Sequence, residues 1–337
     1  MRWLALSMVA LALIGAASVQ AAIPPAERQA LLDLYNSTNG PGWTNNTGWG
    51  APAGTECTWY GVTCDAGETT VVQLVLSDNG LSGSIPAGLD NLSGLQVLNL
   101  SFNQLTGGIP PELSQLSTLQ MLDLGWNELS GPIPPQLGNL VNLQYLLLQS
   151  NKLSGSIPSS LTGLTNLGPG WLSIQSNALY TSDPALIAFL NSHQDGGDWQ
   201  SSQTIAPTGV AAAPGPGNTQ ALVSWTPILF IAGGGGYRVS YALTSGGPYT
   251  FFGITPDKTS TSLEVTGLQP ATTYYFIVES QTDPNVNNQN TVVSDPSAEV
   301  SATTLANPIP TLEGAGMIVF ILALALAGLA VIRRQVV

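Results

Sequence analysis

Four aromatic residues, Phe102, Trp126, Tyr145 and Trp171, recur at matching places in a periodic stretch of this chain, with the polar pair Asn99 and Asp123 between them. An exposed aromatic band of this kind is typical of binding hot spots, and its ring faces can also carry a sugar. Hydrolytic or redox chemistry has less to work with. The single histidine, His193, stands near Asp195 and Asp198, the usual company of a solvated helix end, so no metal is assigned there. No HExxH, GxSxG or P-loop pattern occurs. Asp283 to Asp295 lacks the spacing of a calcium loop. Paired carboxylates for glycoside hydrolysis leave no sequence signature, but repeat architectures rarely provide the pocket they need. No catalytic residue and no cofactor is assigned, and the chain is not read as an enzyme.

The elements that position these residues repeat every 24 residues from Val71 to Asn166, with a fifth, stretched copy behind. Asn79, Asn103, Asn127, Asn151 and Asn177 mark the period. Each closes an LxxLxLxxN segment, as in Leu95, Leu98, Leu100, Asn103 and Leu119, Leu122, Leu124, Asn127. Behind the first four comes Leu-Ser/Thr-Gly-x-Ile-Pro, from Leu81–Pro86 to Leu153–Pro158. A single coil cannot bury its own apolar face, so the coils must stack. The leucines then form an inner column and the asparagines bond backbone groups at the bend. Alternation turns the third and fifth positions of each segment outward. Those positions and the eighth hold the six residues named above, which are read as one diagonal ligand-binding stripe.

Both halves of the repeat resemble the plant-type subclass of leucine-rich repeats over Val71 to Asn177. The resemblance implies an α/β solenoid with parallel strands on a concave face and an irregular convex side, spanning 71–183. Its open ends need covers. At the front (22–70), Ala26 to Tyr35 has helical spacing, with Ala30, Leu31 and Leu34 on one side, followed by Trp43, Trp49, Cys57, Trp59 and Cys64. Cys57 to Cys64 resembles the N-terminal cap of plant-type repeat receptors. At the back (184–203), Asp183 to Leu190 reads as a capped helix with proline at its first position and Trp199 beneath it.

From 206 to 304 short alternating runs predict a β-sandwich, with strands at Ala221–Trp225, Gly236–Tyr241, Ser262–Val265 and Thr273–Glu279. Trp225, Tyr237 and Leu268 to Tyr274 resemble fibronectin type III, which implies that the Tyr274 hydroxyl bonds back to the backbone. Gly233–Gly236 and Asn285–Asn290 look like enlarged loops.

The two ends predict export. Arg2, the apolar run Leu4–Ile14 and Val19-Gln20-Ala21 read as a secretory signal over 1–21, cleaved after Ala21; an uncleaved anchor is the alternative. Export makes Cys57 and Cys64, the only cysteines, disulfide partners. In the tail (305–337), Ala315 to Ile332 is long enough to cross a bilayer of about 30 Å, and Arg333-Arg334 place its tip in the cytoplasm, with residues 22–314 outside. Ile309-Pro310-Thr311-Leu312 ahead of that helix resembles the IPTL-type sorting signal of Gram-negative bacteria, which implies recognition by an exosortase-like membrane enzyme; an ordinary anchor is the alternative.

Only 8% of residues are charged, yet the net charge is −13. An acidic exterior without basic clusters excludes nucleic acid and docking on anionic lipid. The expectation is a cell-surface protein whose concave face holds a protein, peptide or glycan. A matrix protein of the envelope or biofilm, without a discrete ligand, is the first alternative, and a polysaccharide-active enzyme the second.

Overall fold

A computed structural model describes residues 22–196 and 198–308. The secretory signal, the motif Ile309–Leu312, the apolar run 315–332 and the basic tip lie outside the described residues. Among the described residues, no helix is long and apolar enough to cross a membrane.

The repeat pattern becomes a stack of coils. Strands Val71–Val75, Val97–Asn99, Met121–Asp123, Tyr145–Leu147 and Leu172–Ser173 pair in parallel and in register, Gln73 beside Val97, Val97 beside Met121, Met121 beside Tyr145. Past the corner, short strands such as Ser82–Ser84 and Lys152–Ser156 also pair in parallel with their neighbours in the stack. Each Ile-Pro then leads into one turn of 3₁₀ helix, from Ala87–Asn91 to Ser159–Gly163. Pro86, Pro110, Pro134 and Pro158 cap those turns, where a fixed φ and a missing N–H do no harm. Leu74, Leu98, Leu122, Leu146 and Leu172 form the fully buried column under the sheet. Burial of such a side chain stabilises by about 2 kcal/mol.

The asparagines tie adjacent coils. Asn103 Nδ2 donates to Leu76 O at 2.9 Å and Leu100 O at 2.9 Å, while its Oδ1 accepts from Leu81 N at 3.0 Å. Asn127, Asn151 and Asn177 repeat the arrangement. A fifth rung is made by a different residue. Gln203 Nε2 donates to Ile174 O at 2.9 Å and its Oε1 accepts from Leu179 N at 3.0 Å. Its longer side chain ends the ladder from the segment behind the last helix.

Both ends are covered. Helix α1 (Pro25–Ser37) buries Ala30, Leu31 and Leu34 as its spacing predicts, together with Glu27. The Glu27 carboxylate accepts from Thr70 Oγ1 at 2.7 Å and Val71 N at 2.8 Å, where the concave sheet begins. Strand Val62–Cys64 lies antiparallel on that edge. Tyr35, Trp43, Trp49 and Trp59 pack as one aromatic cluster, and Cys57 is bonded to Cys64. At the back, α2 (Pro184–His193) starts on Asp183, whose carboxylate accepts from Ala185 N and Leu186 N. Trp199 is buried and its Nε1 donates to Asn191 Oδ1 at 3.2 Å.

The second unit is a two-sheet sandwich. One sheet holds Thr208–Pro214, Ala221–Thr226 and Ser262–Val265; the other is centred on Gly236–Ala242 and Thr273–Thr282. Tyr274 Oη accepts from Gln269 N at 3.0 Å, the predicted corner bond. Trp225 and Tyr237 are buried against each other. Thr204 joins the units directly: its N–H donates to Asn177 O at 2.8 Å and its hydroxyl meets Thr282 Oγ1 at 2.6 Å.

Beside that junction Lys258 is buried, donating to Ala232 O at 2.6 Å and Thr282 Oγ1 at 3.1 Å. Burial pulls its pKa from 10.5 to about 8, against the opposing pull of Asp283. Between those two values the unfolded chain binds more protons than the folded one, so this group makes stability rise with pH there. The increment should be present in wild-type melts between pH 8 and pH 10 and absent from Lys258→Met. Equal pH dependence in the two proteins contradicts the assignment.

Candidate functional site

The six residues of the expected stripe fall into two places. Tyr145 begins its strand and Trp171 immediately precedes the last one, both on the concave face. Their rings meet edge to face, with centroids 4.6 Å apart and planes at 66°. The two-residue insertion in the fifth copy shapes this pair. A Cβ on Gly168 would stand 2.4 Å from Trp171 Cδ1, so the indole lies against backbone that only glycine leaves open. Trp171 remains 48% exposed.

Asn99 and Asp123 sit side by side on neighbouring strands of the same face. Each side chain also folds back on its own coil. Asn99 Oδ1 accepts from Ser101 N at 3.0 Å and Ser101 Oγ at 2.7 Å, and Asp123 Oδ1 accepts from Gly125 N at 3.1 Å. Burial holds the Asp123 carboxyl above its ordinary pKa, while the Gly125 N–H and the Ser101 hydroxyl pull it down. The pair offers a hydrogen-bonding ledge beside the rings.

Phe102 and Trp126 do not continue that stripe. The eighth position is past the strand, at the corner before each ladder asparagine. All five corners are left-handed: φ is 51° at Asp78, 56° at Phe102, 56° at Trp126, 59° at Ser150 and 55° at Ser176. Strand alternation stops there, so the single diagonal band is corrected to two pairs on different edges of the coil. Phe102 and Trp126 stack on each other, with centroids 5.4 Å apart and planes at 9°. The left-handed conformation costs a residue with a Cβ about 1–2 kcal/mol. The fold needs that conformation at each corner but nothing in the core needs an aromatic there. Phe102 is 54% exposed.

The sandwich reaches the same corners. Asn288 Nδ2 donates to Asn151 O at 2.8 Å and Ser176 O at 2.7 Å, and Asn290 Nδ2 donates to Asn127 O at 2.6 Å. Ser150 Oγ donates to Asn287 O. The loop 285–290, expected only to be enlarged, is thus the strut between the two units. Beside it lies a cleft of about 370 Å³, bordered by Asp78, Phe102, Trp126, Glu128, Gln289 and Asn290.

Sequence reasoning missed this loop, because its partners lie 112 to 163 residues away. It also missed Gln203, for which a signal exists. Gln203 follows Asn177 by the same interval that separates Asn177 from Asn151. His193 is explained locally: Nδ1 lies 2.8 Å from Phe189 O, and the ring rests on Phe189. Among the described residues, no group of three or more His, Cys, Asp or Glu side chains could hold a metal ion.

Residues 69–129 and 142–164 match leucine-rich repeat families, 24–65 the leucine rich repeat N-terminal domain, and 206–295 the fibronectin type III domain. An inactive leucine-rich repeat receptor-like serine/threonine-protein kinase of Arabidopsis thaliana is 41% identical over 75 residues, which are 22% of this chain and 12% of that protein's length. The BIR2 ectodomain of Arabidopsis thaliana is 35% identical, covering 51% of this chain and 92% of its own, with a TM-score of 0.45. The BIR3–SERK2 complex of the same plant gives 34% identity over 52% of this chain and 93% of that one, with a TM-score of 0.44. The chain is therefore built from leucine-rich repeats behind their N-terminal domain and a fibronectin type III domain.

Proposed function

We propose that this is an exported, surface-displayed binding protein whose concave repeat face recognises a protein, peptide or glycan. The Ile309–Leu312 motif and the apolar run behind it would sort or anchor it through an exosortase-like enzyme. The observation that carries the binding reading is the Tyr145–Trp171 pair beside Asn99 and Asp123. These rings add nothing to the buried leucine column, and Trp171 stays open to solvent. Large rigid aromatics with a polar edge supply binding area at low conformational cost. The chemistry that Tyr145, Trp171, Asn99 and Asp123 offer is recognition, through two ring faces, an amide and a carboxylate.

Screening the full-length protein against panels of surface proteins and glycans tests this. Capture of a ligand should fall at least tenfold in the double variant Tyr145→Ala, Trp171→Ala, with an unchanged melting profile. No capture, or capture indifferent to these substitutions, favours the matrix alternative. Turnover of a glycan would overturn the non-enzymatic reading. Mass spectrometry of the mature C-terminus tests the sorting step: a terminus upstream of residue 315 is expected, and an intact tail ending at Val337 would leave an ordinary anchor.

A further inference from the structure

We propose that the corner cleft between the two units is a second binding site, one that takes a pyranose unit of an uncharged glycan. It is separate from the concave face and does not depend on that face having a ligand. Its volume, about 370 Å³, falls in the range of small-ligand clefts, roughly 300–1,000 Å³.

Three features specify the occupant. The first is the platform. Phe102 and Trp126 are stacked nearly parallel on successive coils, and small polar residues, Asp78 and Ser150, hold the corners on either side. The ring stack therefore stops abruptly at both ends, leaving slots with a flat apolar wall. A pyranose ring, with C–H groups on one face and hydroxyls around its rim, fits such a wall.

The second is the polar rim. Asp78 and Gln289 are exposed at the cleft and supply a carboxylate that accepts from hydroxyls and an amide that both donates and accepts. Gln289 is held in place because its neighbours Asn288 and Asn290 are bonded to the corner carbonyls. Fixing the polar group before binding reduces the ordering cost. The fibronectin-type unit is then a working half of the site.

The third is charge. Glu128 is already answered by Lys152 at 2.8 Å, which leaves Asp78 as the unanswered carboxylate of the cleft. One carboxylate is too little for a strongly cationic peptide. With a chain charge of −13, it is enough to repel uronic or sulfated sugars.

Calorimetry on the full-length protein with cellohexaose and chitohexaose tests the site, with hexagalacturonate and hexalysine as comparators. At least one uncharged hexasaccharide should bind. Trp126→Ala should weaken it at least tenfold and Gln289→Ala at least threefold, while Gln115→Ala, exposed on the 3₁₀ turn Pro111–Gln115, stays within twofold of wild type. Gln289 is exposed, so its variant keeps the test informative if Trp126→Ala fails to fold. Binding of neither uncharged sugar overturns the proposal, as does tighter binding of hexagalacturonate or hexalysine. A sugar lost in Tyr145→Ala but kept in Trp126→Ala also overturns it, and moves the ligand to the concave face.

Discussion

Asn127→Ala should destabilise the solenoid by about 4 kcal/mol, read as a lower urea midpoint, whereas Gln104→Ala on the neighbouring surface should stay within about 0.5 kcal/mol. The side chain of Asn127 is buried and meets four backbone groups. Nδ2 donates to Leu100 O at 3.0 Å, Leu124 O at 3.1 Å and Gly125 O at 3.2 Å, and Oδ1 accepts from Leu105 N at 3.0 Å. Truncation orphans the Leu105 N–H, away from water, at a cost of about 1–3 kcal/mol. It also takes one donor each, about 1 kcal/mol apiece, from Leu100 O, Leu124 O and Gly125 O, which keep Asn103, Asn151 and the Phe102 N–H. Two of the four groups belong to the preceding coil. The loss therefore propagates across a nearest-neighbour interface, which is where a stack of repeats holds its stability. Gln203→Ala should cost less, because the terminal rung has no coil behind it. A loss below about 1 kcal/mol at Asn127 would show that the ladder positions the corners without stabilising them.

The ladder was legible in the sequence because its residues are fixed by a repeated local geometry. An inward Asn at each corner, a Gly in each return and a Pro before each 3₁₀ turn are demanded by the backbone at the same offset every time. The same holds for Tyr274, whose partner Gln269 is five residues away. The candidate site was only half legible. Tyr145, Trp171, Asn99 and Asp123 face outward as strand alternation requires. Alternation puts Phe102 and Trp126 on the same stripe, whereas the structure puts them at the corners, since a period of two has no meaning beyond the strand end. Nothing in their residue types announces a left-handed corner, which ordinarily favours Gly, Asn or Asp. Asn288 and Asn290 were illegible for a different reason. Amide side chains in a loop look alike whether they face water or a carbonyl on another domain.

Replacing Asn287-Asn288-Gln289-Asn290 with Gly-Ser-Gly-Ser should free the sandwich from the solenoid while leaving both units folded. Three side-chain hydrogen bonds go with the loop, two from Asn288 and one from Asn290 to Asn127 O, and the Ser150 bond to the Asn287 carbonyl loses the frame that positions it. At about 1 kcal/mol net for each of the three, their sum of roughly 3 kcal/mol is about a hundredfold in the docked-to-undocked ratio. What remains is the linker, with Thr204 against Thr282 and Ser280 Oγ donating to Ile205 O at 2.6 Å. Those contacts lie at one point and can act as a pivot; the loop supplies the second point that prevents rotation. In partially aligned NMR samples, wild-type residual dipolar couplings from both units should fit one alignment tensor. In the variant they should require two, with unchanged secondary shifts in each unit. A single tensor in the variant would place the rigidity in the linker and leave the loop as a passive neighbour. Two tensors would mean that the orientation of the fibronectin-type unit is set by the same asparagine corners that hold the coils together. The cleft at Phe102 and Trp126 then exists only while that orientation is held, so its occupant should in turn favour the docked state.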